Sequence, residues 1–136
     1  MHFRCLRAAV GSVFLALACS GCGGDKKVKI TGKLLKDGHP MIVSMETYVT
    51  LSFIPVFDAE DKAQASKVTS HSAKFDQTTG TYAIELPSGT YRTMLVISLP
   101  PDPKKPGQLG PTRTIKSDKQ HELKKIQELD IEVPPQ

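Results

Sequence analysis

Cysteine is scarce in this 136-residue chain and is confined to its start. Cys5, Cys19 and Cys22 are the three cysteines, and none follows them. Tryptophan is absent, and aromatic residues make up 6% of the sequence. A disulfide framework after residue 22 is therefore excluded. A zinc or redox site on the Cys19–Cys22 spacing is disfavoured, because it needs partner ligands or a βαβ context that the sequence lacks.

The charge balance does not indicate a nucleic-acid-binding protein. The chain has 18 Lys and Arg against 14 Asp and Glu, a formal net charge of +4. Two of the basic residues, Arg4 and Arg7, precede residue 22, so residues 22–136 keep 16 basic against 14 acidic residues, or +2. No stripe of Lys and Arg with interleaved aromatic residues occurs, and we expect no nucleic acid partner.

Long hydrophobic runs are also missing, and the longest one has the length of an export signal. Arg4 and Arg7 give a positive start, and the uncharged segment 8–18 (AAVGSVFLALA) follows. A transmembrane helix needs about 20 apolar residues, which is more than this segment provides. Residues 1–21 are therefore predicted to be a signal peptide of an exported protein.

The end of this signal resembles bacterial lipoprotein signal peptides, in which small residues precede a cysteine that is lipidated and becomes the new N-terminus. Cys22 fits this pattern, and Cys19 is the alternative. We take Cys22, because cleavage there leaves no free thiol, whereas cleavage before Cys19 leaves Cys22 unpaired. Residues 22–27 are then the lipidated cysteine and a short linker. They would hold the protein close to a bacterial envelope membrane, facing the periplasm or the cell surface.

The rest of the chain has the pattern of short strands with one buried face. Apolar residues occupy alternate positions in five segments: 28–34, 49–53, 82–86, 91–99 and 129–133. Turn signals such as Asp37-Gly38 and Pro87-Ser88-Gly89 separate these segments. This pattern predicts an all-β fold, an antiparallel Ig-like or prealbumin-like sandwich of about seven strands.

Two segments depart from the alternation. Residues 100–111 (PPDPKKPGQLGP) contain five prolines, which predicts an extended loop. We consider this loop the candidate contact surface for a partner protein, with the contact residues Pro100, Pro101, Lys104 and Lys105. In residues 119–127, Leu123 and Ile126 have helical spacing, so a short helix capped by Ser117 or Asp118 and a strand both remain open.

Tyr91 follows the Pro87-Ser88-Gly89 turn at the start of a predicted strand, which is the arrangement of a tyrosine corner. A buried phenol needs a hydrogen-bond partner, and a tight turn leaves a backbone carbonyl available to accept. Tyr91 is therefore predicted to be structural and not catalytic.

No arrangement of residues indicates catalysis or metal binding. His39, His71 and His121 fall in different predicted elements and lack the spacing of metal ligands. Ser88 lies between Pro and Gly, not in the Gly-x-Ser-x-Gly context of a nucleophile. We expect no catalytic residue, no metal and no cofactor apart from the covalent lipid.

The order of the turn and strand motifs resembles a set of lipoproteins, abundant in planctomycete-type bacteria, that carry a transthyretin-like or carboxypeptidase-regulatory-like β-sandwich. The matching pieces are Cys22-Gly23-Gly24, Ile30-Thr31-Gly32, Asp37-Gly38-His39-Pro40, Leu51–Pro55, Asp76–Gly80 with Tyr82, and Pro87–Tyr91. Between Pro40 and Val49 the chain holds more residues than this pattern does. The resemblance implies one such domain over residues 28–136 and a membrane anchor, but no defined activity.

Some transthyretin-like proteins hydrolyse 5-hydroxyisourate, and this chain resembles them in fold only. Their Tyr-Arg-Gly-Ser tail is replaced here by Glu-Val-Pro-Pro-Gln. We therefore expect a non-catalytic domain with a structural or protein-contact role among envelope proteins. The alternative is a module for a small ligand or glycan. It is disfavoured because tryptophan is absent and the three tyrosines after residue 22 fall largely on inward or turn positions.

Overall fold

The computed structural model describes residues 26–57 and 69–135, so Cys19, Cys22 and the predicted signal peptide lie outside the described residues. Ten strands and no helix form in the described part, which confirms the all-β prediction. The strands are β1 Lys27–Lys36, β2 His39–Pro40, β3 Tyr48–Pro55, β4 His71–Ser72, β5 Lys74–Asp76, β6 Thr81–Pro87, β7 Gly89–Ser98, β8 Thr112–Leu123, β9 Gln127–Glu128 and β10 Ile131–Val133.

The strands form two sheets that share one core. The first has the order β10-β1-β6-β5, with β2 and β9 also paired to β1, and the second has the order β4-β3-β7-β8. Pairing is antiparallel except that β9 and β10 run parallel to β1. The ring of Phe53 in the second sheet lies 6.0 Å from the ring of Tyr82 in the first. Two sheets packed face to face give the architecture of a β-sandwich.

Alternation in the sequence determines which side chains form the core. In β1, every second residue from Val28 to Leu34 is buried, and the lysines between them are exposed. In β6 the buried residues are Tyr82, Ile84 and Leu86. The largest fully buried side chains are those of Phe53, Ile30, Leu34, Leu51, Leu86 and Leu123. Burial of each such aliphatic or aromatic side chain contributes about 1.5–3 kcal/mol.

Gly32 interrupts the apolar residues of β1 because a backbone segment crosses it. A Cβ at this position would overlap the carbonyl oxygen of Leu129, which lies between β9 and β10. The Leu129 amide donates to the carbonyl of Thr31 over 2.8 Å, and the next amide of β1, that of Lys33, donates to Asp130 Oδ1 over 2.8 Å. The Asp130 side chain thus continues the hydrogen bonding to β1 between the two short strands.

The hairpin from β1 to β2 forms at the predicted Asp37-Gly38 turn. Asp37 has a φ of 53° and Gly38 a φ of 76°. A two-residue loop with positive φ at both positions is a type I′ turn, which matches the twist of the flanking strands and favours Asn-Gly and Asp-Gly.

Residues 119–123 belong to β8, so the helical alternative for 119–127 is wrong. Leu123 is fully buried whereas Ile126 is 77% exposed, and their helical spacing therefore does not create a common face. The register of β8 on β7 shifts opposite Arg92 and Met94. At this irregularity, the Lys119 amide donates to Ser117 Oγ over 3.2 Å. Ser117 therefore stabilises a strand irregularity and caps no helix.

Candidate functional site

The Tyr91 hydroxyl donates to the carbonyl oxygen of Pro87 over 2.8 Å, across the turn between β6 and β7. The side chain is 3% exposed, and its ring packs edge-on against Phe53, with the centroids 6.4 Å apart. Burial raises the pKa of the Tyr91 phenol, which keeps the hydroxyl protonated as a donor. This hydrogen bond is the one expected of a tyrosine corner. It connects the turn between β6 and β7 to a ring that packs in the core.

Tyr82 is a second buried tyrosine, and the sequence did not indicate that its hydroxyl forms a hydrogen bond. Its hydroxyl donates to the carbonyl oxygen of Leu129, 47 positions along the chain. Burial, and then the charge of Asp130, raise the pKa of Tyr82. This bond joins β6 to the segment that crosses β1, and no local motif could have indicated a partner so distant in sequence.

The predicted contact loop, residues 100–111, is closed at its base. The Leu99 amide donates to the carbonyl of Pro111 over 3.0 Å. A Cβ at Gly110 would overlap the carbonyl oxygen of Leu99, so the two ends of the loop approach as closely as backbone allows. The loop therefore begins and ends at one point, where β7 passes to β8.

The tip of this loop is folded into turns. The amides of Lys104 and Lys105 donate to Oδ1 and to the backbone carbonyl of Asp102, both over 2.9 Å. The Gln108 amide donates to the carbonyl of Lys105 over 3.3 Å, with Gly107 at a φ of 87°. A positive φ at this point suits glycine. Local hydrogen bonds therefore give the tip a defined backbone without contacts to the core.

The tip presents charge and one large apolar side chain to solvent. Pro101, Lys104 and Lys105 are exposed, and Pro100 is half-buried at the base. Leu109 is 97% exposed, a feature that the sequence analysis did not select. Its position in a Gly- and Pro-rich loop between two strands is the signal that would have marked it.

The contact loop and the start of the domain lie at opposite ends of the sandwich. The Ser88 amide donates to the carbonyl of Lys26 over 3.3 Å, and β7 begins at the next residue, Gly89. β7 then runs ten residues to Ser98, next to the loop. A strand of that length spans about 30 Å. The loop therefore projects away from the end at which the chain enters.

The three histidines that follow residue 22 are divided between the two ends. His39 pairs with Lys36 near the loop end. The His71 ring lies 6.2 Å from the Tyr91 ring, and His121 is the register partner of Tyr91 in β8. Burial, and then the charge of Lys119, lower the pKa of His121, which favours the neutral imidazole. Among residues 26–57 and 69–135, no three metal-ligating side chains form a group.

A cleft of about 270 Å³ opens between β8 of the second sheet and β10 of the first. Leu51, Leu95, Ile115, Ile131 and Val133 provide its apolar lining, and Lys116 and Glu132 are among its polar residues. Small-molecule sites are commonly apolar clefts of about 300–1,000 Å³ with a few polar groups, so this cleft has suitable chemistry and a volume just below that range.

Of the three tyrosines in the described part of the chain, Tyr48 alone is exposed to solvent. It is 72% exposed at the start of β3, whereas Tyr82 and Tyr91 are each 3% exposed. The described part thus offers a single exposed tyrosine ring for stacking against a sugar, where glycan sites generally use aromatic side chains with a free face.

Within the ranges 26–57 and 69–135 there is no helix with the length and hydrophobicity needed to cross a membrane. Comparison of the chain with protein-family models, with curated proteins and with solved structures finds no match.

Proposed function

We propose that this protein is an exported lipoprotein of a bacterial envelope whose non-catalytic, transthyretin-like sandwich presents the 100–111 loop to other envelope proteins. One observation carries the proposal. The loop is closed at its base, folded at its tip and exposed. It lies at the end of the sandwich opposite Lys26, where the lipidated linker would enter.

The anchor follows from the sequence of residues 1–25. A positive start, a short apolar run and small residues before Cys22 are the features of a lipoprotein signal. Three residues lie between Cys22 and Lys26, and the four Cα-to-Cα steps from one to the other span at most about 14 Å. A lipid on Cys22 would therefore hold the Lys26 end at the bilayer and point the contact loop away from it.

The loop has the chemistry of a small protein-binding surface. Interfaces commonly combine an apolar anchor with a surrounding polar rim. Leu109, which is 97% exposed, would be the anchor. Lys104 and Lys105 would form a rim that attracts an acidic partner and increases the rate of association. Because local hydrogen bonds already order the tip, binding would incur a smaller loss of conformational entropy.

The test is site-specific cross-linking in the native envelope. A photo-reactive amino acid replaces Leu109 in one strain and Lys74, an exposed residue of β5, in a control strain. We expect one stoichiometric adduct from position 109 and none from position 74. The adduct should become weaker in the double variant Lys104→Gln, Lys105→Gln. Equal labelling at both positions, or none at 109, would contradict the contact-loop proposal.

The inter-sheet cleft favours a second candidate function, the binding of a small apolar ligand. Ile115 and Ile131 line it from opposite sheets. If the cleft binds ligands, native extracts should contain a compound that raises the melting temperature of the wild-type protein but not of Ile131→Phe, which narrows the cleft. Glycan-array binding that depends on Tyr48 would instead favour the sugar-binding alternative.

A further inference from the structure

Residues 124–126, Lys-Lys-Ile, connect the two sheets at the end where the domain begins. Leu123, the last residue of β8, lies opposite Gly89, and Gln127, the first residue of β9, lies opposite Ile30. Gly89 follows Ser88, whose amide bonds to the Lys26 carbonyl. The connection therefore lies beside the start of β1, although about 100 residues separate them in sequence.

This end of the domain carries one exposed aliphatic side chain and four exposed lysines, together with the exposed carboxylates of Glu122 and Glu128. Ile126 is 77% exposed. The side chains of Lys26, Lys27, Lys124 and Lys125 are exposed as well. Lys124 Nζ lies 2.8 Å from Glu122 Oε1, which is the one salt bridge within the described ranges. Three of the four lysines therefore have no carboxylate of the described part within bonding distance.

Lys124 and Lys125 do not protect the edge of a sheet. Exposed lysines on edge strands commonly prevent pairing with another chain. Residues 124–126 belong to no strand and have no ladder edge to protect. The exposed Ile126 next to Lys124 and Lys125 does, in contrast, have the chemistry for contact with a bilayer, where an aliphatic side chain enters the interface and ammonium groups meet anionic headgroups.

We propose that this end of the domain docks on the membrane itself, with Ile126 in the headgroup region and Lys26, Lys27, Lys124 and Lys125 on anionic phospholipids. The inference rests on the proposed lipid anchor at Cys22. A linker of at most about 14 Å brings these lysines to within roughly one or two Debye lengths of the headgroups. Docking would fix the orientation of the sandwich, with the 100–111 loop about 30 Å further out.

The experiment measures the depth of position 126 in vesicles that carry the mature, lipidated protein. Ile126→Cys is labelled with an environment-sensitive fluorophore, and Leu109→Cys, at the opposite end, is the matched control. Vesicles contain phosphatidylcholine alone or with phosphatidylglycerol, together with a lipid-borne quencher. We expect strong quenching at position 126 in the anionic vesicles, weak quenching in the neutral ones and none at position 109.

Lysine pairs in the chain supply a second control. Lys124→Gln with Lys125→Gln should reduce the docked-to-undocked ratio by up to about 25-fold, since each lysine at an anionic surface contributes about fivefold. Lys104→Gln with Lys105→Gln, the same chemical change in the contact loop, should leave that ratio unchanged. Added salt should also reduce the docked-to-undocked ratio, because it screens the attraction between the lysines and the anionic headgroups.

The outcomes separate this inference from the anchor. If the protein floats with both kinds of vesicle but the label at position 126 stays in water, the docking inference is wrong and the anchor stands. Equal effects of the two lysine pairs would also overturn the inference. If the mature protein carries no acyl group and fails to float with neutral vesicles, the proposed anchor is wrong and the inference falls with it.

Discussion

The Tyr82 hydroxyl bonds to the same Leu129 carbonyl oxygen that leaves no room for a side chain at position 32. One backbone group therefore explains both a buried tyrosine in β6 and a glycine in the middle of β1. Together with Asp130, which accepts from the Lys33 amide, this contact attaches the C-terminal segment to the first sheet. The stability of the fold should be sensitive to each of these residues.

Gly32→Ala should destabilise the domain by about 1–3 kcal/mol, because the added methyl group overlaps the Leu129 carbonyl and forces the crossing segment away. Urea unfolding followed by circular dichroism measures the change. Thr31→Ala, at the neighbouring exposed position of the same strand, should change the free energy of unfolding much less. Equal effects of the two substitutions would show that the crossing segment is not held as described.

Tyr91→Phe should reduce the free energy of unfolding by about 1–2 kcal/mol, since it leaves the half-buried Pro87 carbonyl without the Tyr91 hydroxyl as a donor. For a domain of this size that change corresponds to a decrease in melting temperature of roughly 4–8 °C. Tyr48→Phe is the matched control, because Tyr48 is exposed and should tolerate the change. An unchanged melting temperature in Tyr91→Phe would contradict the structural role of this hydroxyl.

Alkaline pH should unfold the protein through its buried phenols. Burial raises the pKa of both Tyr82 and Tyr91 in the folded state. The unfolded chain therefore loses these protons first, and the stability present below about pH 10 decreases as pH rises toward the folded pKa values. Each phenol contributes a slope of up to about 1.4 kcal/mol per pH unit. Urea unfolding at increasing pH should show a smaller slope for Tyr82→Phe than for the wild type.

Asp130 should act on Tyr82 through its charge and on β1 through its oxygen, and two substitutions separate these effects. Asp130→Asn keeps an oxygen for the Lys33 amide but removes the charge, so the pKa of Tyr82 should decrease while stability changes little. Asp130→Ala removes both the oxygen and the charge, and it should reduce the free energy of unfolding by about 1 kcal/mol. The pH dependence of urea unfolding above about pH 10 measures the first effect, and urea unfolding at neutral pH measures the second. If Asp130→Asn leaves the pKa of Tyr82 unchanged, the charge of Asp130 does not act on the Tyr82 phenol.

Features that depend on neighbours in sequence could be predicted from the sequence. Alternation identified the buried residues of β1 and β6, because side chains of a strand point to opposite faces in turn. Asp37-Gly38 indicated its turn through the backbone conformation that these residues tolerate. The Tyr91 hydroxyl has its partner only four positions away, at Pro87, within the reach of a local motif.

Features that depend on distant parts of the chain could not be predicted in this way. The Tyr82 bond to Leu129 and the overlap at Gly32 exist because a segment some 100 residues from β1 returns to cross it. The helical spacing of Leu123 and Ile126 was misleading, since one ends a strand and the other is exposed at the connection between the sheets. Because the chain returns to β1 in this way, residues 124–126 lie near Lys26 and Lys27 at the start of the domain.

We propose that a lipid on Cys22 anchors this sandwich to a membrane, and mass spectrometry of the mature N-terminus is the direct test of that anchor. We expect an N-terminal peptide that begins at Cys22, carries a diacylglyceryl group and continues into Gly23-Gly24-Asp25. A diacylglyceryl group on Cys19, or a mature N-terminus that carries no lipid, would contradict it.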